Sequence, residues 1–220
     1  MSKPGAKITR TICSEQVLNA FVEVVRKNLS LDLKNTRITA DDIIYALAYA
    51  NLHRLSMESA CQELQSAPSG NRLREVLVDA LPDRIGMQRM LNRMFRQQLH
   101  PSIWKCKRDV NIAIDLTLIP YHGKPYEDKK EIVRSLPKSG TTHFHGYATV
   151  SIVRDDRRYV VALRFIEYGE EMSEIVRWLI QRVKSLKIRI RRVFLDKGFC
   201  SKPVFKVLNQ HKLSYVIPIP

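Results

Sequence analysis

The chain is short of acid. No Asp or Glu occurs between Lys197 and Pro220, and across 220 residues 22 acidic groups face 37 lysines and arginines, a formal net charge of +15. Long apolar runs are missing too: none approaches the length that spans a bilayer, and the amino terminus has no apolar stretch like those that head secreted proteins. Both absences argue against membrane insertion and secretion. Paired cysteines are missing as well. Cys13, Cys61, Cys106 and Cys200 are scattered with no Cys-x-x-Cys, which is no disulfide framework in a chain this long. Reduced, partly buried thiols are expected, and with them a cytosolic setting. No internal repeat is evident.

What is present is ordinary globular material with an unusual charge. An apolar content of 45% and a charged content of 27% fit a folded chain that can bury one large core or two small ones. The basic excess favours a polyanionic partner, because each phosphate contact releases condensed counterions. Residues 1–105 carry a net +5 and residues 106–220 a net +10, so the carboxyl-terminal half is expected to lie closer to phosphates.

Periodicity divides the chain. Val17, Leu18, Phe21, Val24 and Val25 recur at helical spacing over Ser14 to Asn28. Thr39-Ala-Asp-Asp42 reads as a capping box opening a helix whose inward residues are Ile43, Ile44, Leu47, Ala48 and Leu52. Ser56 caps a second helix with Met57, Ala60, Cys61 and Leu64, and Ser66-Ala-Pro-Ser-Gly70 ends it. A third helix runs from about Asn71 to Leu81 with Arg72 and Arg74 at its amino end. A fourth, Arg84 to Leu99, carries Met87, Met90 and Met94, which suit irregular packing better than a cofactor site. Short helices, one opened by arginines, fit a helix-turn-helix arrangement or any small bundle.

Beyond His100 the period becomes that of strands. Val110, Ile112 and Ile114 alternate with Asn111, Ala113 and Asp115. Strands are expected at 143–153 and 158–167, joined by a turn through Asp155 and Asp156 into an antiparallel hairpin. An amphipathic helix follows with Met172, Ile175, Val176, Leu179, Val183 and Leu186 on one face. Then come a strand at 191–196, a helix at 202–210 and a strand at 213–217. Three strands, a helix and a further strand form the RNase H-like order, in which the first and fourth strands are neighbours. Asp115 and Asp196, 81 positions apart, fall on those two strands. Carboxylates brought together repel, and a divalent cation relieves that repulsion while offering phosphate oxygens a Lewis acid.

Four stretches carry a resemblance. They are Ala113-Ile-Asp-Leu-Thr-Leu-Ile-Pro-Tyr-His-Gly123, Lys138-Ser-Gly-Thr-Thr142 with the strand from Tyr147 to Val153, Phe194-Leu-Asp-Lys-Gly-Phe199, and the helical region Ser59 to Gly70. Together, in their order along the chain, they resemble the DDE transposases of insertion sequences. The resemblance implies a helical, DNA-binding domain at 1–105 and an incomplete RNase H-like α/β domain at 106–220 with a mixed five-stranded sheet. It implies that Asp115 and Asp196 are catalytic and hold magnesium or manganese, and that the partners are DNA, namely terminal inverted repeats and target DNA. A cytoplasmic, nucleoid-associated protein without a membrane partner follows, and a homo-oligomer is left open. The family's third ligand is a Glu on a helix beyond the fifth strand, with a Tyr and an Arg. This chain stops at Ile217-Pro-Ile-Pro220, so the expectation is a truncated, catalytically impaired copy or a frameshift product.

Other residues carry two readings each. Arg72, Arg74, Lys187, Arg189, Arg191, Arg192 and Lys197 are candidate DNA contacts, or solvated charge. His122, His143 and His145 lack ligand-like spacing to the cysteines and are expected to be polar or DNA-facing. Tyr121 is expected to pack structurally, and Gly198 to permit a turn after the strand. Two rivals remain: a DNA-binding regulator derived from a transposase, and a complete nuclease recruiting Glu127, Asp128 or Glu131.

Overall fold

The computed structural model describes residues 13–34, 37–64, 67–104, 109–123, 129–154 and 157–219. Internal contacts divide the chain into two compact units between Asp83 and Arg84. The sequence reading draws its line at 105, twenty-odd residues further on; the helix between these points lies in the second unit.

The first unit is helical: α1 (Ser14–Asn28), α2 (Ala40–His53), α3 (Met57–Glu63) and α4 (Gly70–Ala80). Each start has a local cause. Gln16 accepts from the Cys13 backbone N–H at 3.1 Å. At α2 the capping box is complete: Thr39 Oγ1 accepts from Asp42 N at 3.2 Å and Asp42 Oδ2 accepts from Thr39 N at 2.7 Å. Ser56 and Ser69 cap α3 and α4. Gly70 opens α4 rather than only closing α3. A Cβ there would lie 2.5 Å from the Glu58 backbone, so only glycine admits this approach. Ile43, Leu73, Val76, Leu77, Ala46 and Cys61 share the core. Two residues expected inside α2 are not: Leu47 is 36% and Leu52 76% exposed. Leu52 stands nine residues after Ile43, which at about 100° per residue is the opposite side of the helix. Leu47 has no such reason in the helical wheel. Ala46 takes the inward place instead.

The second unit contains α5 (Arg84–Gln98), the single turn α6 (Pro101–Trp104), six strands and two further helices. These are β1 (Val110–Pro120), β2 (Val133–Lys138), β3 (Thr141–Arg154), β4 (Arg157–Ile166), α7 (Met172–Ser185), β5 (Ile190–Leu195), α8 (Lys202–Gln210) and β6 (Ser214–Val216). Strand order is β2-β3-β1-β5-β6, with β4 paired to β3 beyond β2. β1, β3 and β4 are antiparallel, while β1, β5 and β6 are parallel. The sheet is therefore mixed, as expected, with β2 as a sixth strand beyond the expected five. The turn through Asp155 and Asp156 lies outside the described residues.

One face of the sheet is the core. Ile112, Ile114, Val150, Ile152, Val193 and Leu195 are buried with Ile175, Val176, Leu179, Ile180 and Val183 of α7. Each fully buried aliphatic side chain contributes roughly 2 kcal/mol. The outer strand β4 is braced by α5. Asn92, buried in α5, accepts from Leu163 N at 2.9 Å and donates to Leu163 O at 2.8 Å. Gln88 accepts from Phe165 N at 2.8 Å. These amides occupy backbone groups that an edge strand otherwise offers to another chain.

Candidate metal and nucleic-acid site

β1 and β5 set the geometry. Their parallel register pairs Ile112 with Val193, Ala113 with Phe194 and Ile114 with Leu195. Asp115 and Asp196 are the next residues on each strand. Alternation places Asn111, Ala113 and Asp115 on one side of β1, and Arg192, Phe194 and Asp196 on the same side of β5. Ile112, Ile114, Val193 and Leu195 fill the other side. Asp196 keeps extended backbone, φ −69° and ψ 158°, so the alternation runs through it. Neighbouring strands lie about 4.8 Å apart. The two carboxylates thus leave one face from adjoining strands, Asp115 midway along β1 and Asp196 just past the end of β5, and both are exposed.

Each carboxylate is steadied locally and by one oxygen. Asp115 Oδ1 accepts from Leu116 N at 2.9 Å, and Asp196 Oδ1 accepts from Lys197 N at 2.6 Å. Asp196 thereby caps the short 3₁₀ turn Lys197–Phe199. The second oxygens remain for another ligand; among the described residues neither aspartate forms an ion pair. Beside Asp115 in the register stands Thr149 of β3, a half-buried hydroxyl that strand periodicity alone could not pair with it. Gly198 is not needed for the turn. It lacks a positive φ, and nothing lies within 4 Å of where its Cβ would be.

Among the described residues no three His, Cys, Asp or Glu side chains are grouped to hold a metal ion. Two exposed carboxylates with unoccupied oxygens still fit magnesium or manganese, which keep waters and take up phosphate oxygens at their other positions. Of the rival third acids, Glu131 is half-buried in a 3₁₀ turn and belongs to no such group, while Glu127 and Asp128 lie outside the described residues.

The basic residues fall in several places. Arg72 pairs with Glu75 at 3.1 Å, and Arg74 donates to Asn71 at 3.1 Å, on the exposed side of α4. Arg189 pairs with Asp109 at 3.1 Å. Arg191 is the extra residue of a bulge: Val110 pairs with Ile190 and Asn111 with Arg192. The bulge leaves Arg191 and Arg192 exposed in succession. Lys187 is exposed in a left-handed turn, φ 59°. This group sits at the amino end of β5, with Asp196 and Lys197 at the other end.

The histidines go elsewhere. Tyr121, His122, Arg134, Thr141, His143 and Tyr168 border a cleft of about 520 Å³ past the end of β1. The Tyr121 ring meets His145 edge-on at 5.1 Å. Burial lowers the His145 pKa, Glu131 opposes that, and Arg84 adds to it. Among the described residues these histidines gather no acidic or thiol partners into a metal-holding group. The thiols of Cys13, Cys61 and Cys200 are free, and burial, then Glu58, raises the Cys61 pKa. Cys106 lies outside the described residues.

The order β4-β3-β1-β5-β6, with α7 between β4 and β5, is the RNase H-like arrangement. The model of the family described as transposase DDE domain matches residues 107–220, more than half of the chain. The chain belongs to this family. No curated protein shows a matching sequence. Among solved structures it is similar to a piggyBac transposase synaptic complex with hairpin DNA (TM-score 0.44, 14% identity, 93% of this chain and 48% of that one). It is similar also to the Drosophila P element transposase strand transfer complex (0.41, 13%, 91% and 43%). A simian T-cell lymphotropic virus intasome in complex with PP2A regulatory subunit B56 gamma is more distant (0.32, 9%, 80% and 52%). The chain spans about half the length of each, and likeness this loose carries no argument about what it does. Among the described residues no helix is long and apolar enough to cross a membrane.

Proposed function

We propose that this chain is the DNA-handling part of an insertion-sequence transposase, which binds element ends and cleaves and joins DNA strands with magnesium or manganese. Asp115 and Asp196 are the two ligands it contributes. The observation that carries this reading is the register Ile114 with Leu195, which sets the next residue of each strand side by side on one face. Bound there, the cation would act as a Lewis acid toward phosphate oxygens and help to activate water or a hydroxyl. Asp115 and Asp196 hold and orient it, the backbone N–H groups of Leu116 and Lys197 fix their carboxylates, and Lys197 offers its charge to a phosphate. DNA would be the partner and the nucleoid its setting.

Manganese titration followed by electron paramagnetic resonance tests the ligand pair. Asp115→Asn and Asp196→Asn should each weaken manganese binding about tenfold or more, since a neutral amide replaces a charged oxygen donor. Unchanged binding in both variants would sink the assignment. Cleavage restored by adding a carboxyl-terminal segment bearing Glu would support the enzyme. DNA binding that is indifferent to magnesium, with no cleavage after that addition, would favour the regulator.

A further inference from the structure

The face that carries the two aspartates has a second feature at its far end. The pairings Arg158–Val153, Val153–Asn111 and Asn111–Arg192 run in one row across β4, β3, β1 and β5. Residues opposite one another in a sheet leave it on the same side. Asn111 shares its side with Asp115, and Arg192 with Asp196, so Arg158 and Arg192 stand on the carboxylates' face. A bulge in β4 brings Arg158 there: Val150 pairs with Ala162, but Ser151 pairs with Val160. Without the skipped residue Tyr159 would occupy Arg158's place and Arg158 would point away. Both arginines are exposed, and among the described residues neither makes an ion pair.

We propose that Arg158, Asn111 and Arg192 form a phosphate-gripping row for duplex DNA, set back from the Asp115–Asp196 end along the same sheet face; this rests on the DNA-handling reading above. The spacing suits that ligand. Three strand intervals separate the arginines, about 14 Å, close to the roughly 12 Å width of the major groove. Four residues separate Asn111 from Asp115, about 13 Å, or roughly four base pairs at 3.4 Å of rise. A duplex lying along the face with one phosphate at the aspartates therefore presents the backbones flanking a groove to the two guanidinium groups. Each guanidinium can take a phosphate through two parallel N–H bonds. The half-buried Asn111 amide between them can donate a third.

The test is fluorescence anisotropy of the full chain with a labelled duplex of arbitrary sequence, over a series of potassium chloride concentrations. Arg158→Ala and Arg192→Ala should each weaken binding, and each should flatten the plot of log affinity against log salt by about 0.9. Arg158→Lys should keep the slope. Arg157→Ala is the control. It removes the same charge one residue away, on the opposite side of the sheet, beside Arg154, and should change little. The row is overturned if Arg157→Ala matches Arg158→Ala, or if wild type binds DNA and neither Arg158→Ala nor Arg192→Ala moves slope or affinity. In that last case intact manganese binding leaves the wider reading standing. Wild type that binds no duplex at all overturns both.

Discussion

At the scale of single residues, two buried polar groups carry more stability than their number suggests. Asn92 satisfies both backbone groups of Leu163 from inside α5. Asn92→Ala strands a donor and an acceptor under the helix, and the loss should be about 2–4 kcal/mol, read as a lower urea midpoint with little change of slope. Asn92→Asp should be no better, because a carboxylate cannot donate to Leu163 O. His211 is the other case. Lys184 donates to its Nδ1 at 3.1 Å, so the ring proton sits on Nε2, which is buried and has no hydrogen-bond partner among the described residues. Burial first, then Lys184 and Arg177, lower its pKa from 6.5. A folded-state pKa below the unfolded one means that the unfolded chain binds the proton more tightly. The contribution to stability is therefore fully present above about pH 6.5 and is lost as pH falls through the lowered value. His145 works in the same direction. Denaturant midpoints should drop between pH 7 and pH 5, and His211→Gln should flatten that slope; an unaltered pH profile in the variant would refute the assignment.

At the scale of elements, legibility followed length and regularity. α1 and α8 begin and end where their residues announce it, and α7 buries the face its spacing marks. Strong periodicity over two or more turns leaves little choice of register. β2 was not legible: Val133-Arg-Ser-Leu-Pro-Lys138 has one buried residue and a proline, and it pairs with β3 through a broken register. α6 is one turn, too short for any period. Leu52 lies outside because apolar character alone does not set a face; its angle on the helix does. Asp115 and Asp196 were legible because each follows directly on an alternating apolar stretch, although β1 runs on past Asp115 to Pro120 while β5 stops before Asp196. Thr149 and Arg158 were not, because the partner of a residue is fixed by register, and the β4 bulge shifts that register by one residue. Pairing across strands is a tertiary fact, and single-strand alternation determines only the face.

At the scale of the whole molecule, charge and division coincide. Residues 1–83 carry ten basic and ten acidic groups, whereas residues 84–220 carry 27 basic against 12 acidic, so the entire net charge of +15 lies in the sheet-bearing unit. Counterion release scales with the cations that reach phosphate. A neutral helical unit has little of that to offer unless it reads bases with groups such as Arg72 and Arg74, whose charges already meet Glu75 and Asn71. A fragment of residues 84–220 keeps α5 and its bonds to β4, and should unfold cooperatively. One beginning at 106 removes Asn92, Leu99 and Ile103 from the core and bares the β4 edge, and should aggregate. The 84–220 fragment should retain most of the full chain's affinity for duplex DNA and nearly all of its salt dependence. Residues 13–83 should bind weakly with a shallow slope. A helical fragment that bound as tightly and as salt-dependently as the full chain would move the DNA surface off the sheet, and with it the reason for assigning Arg158 and Arg192 to phosphate.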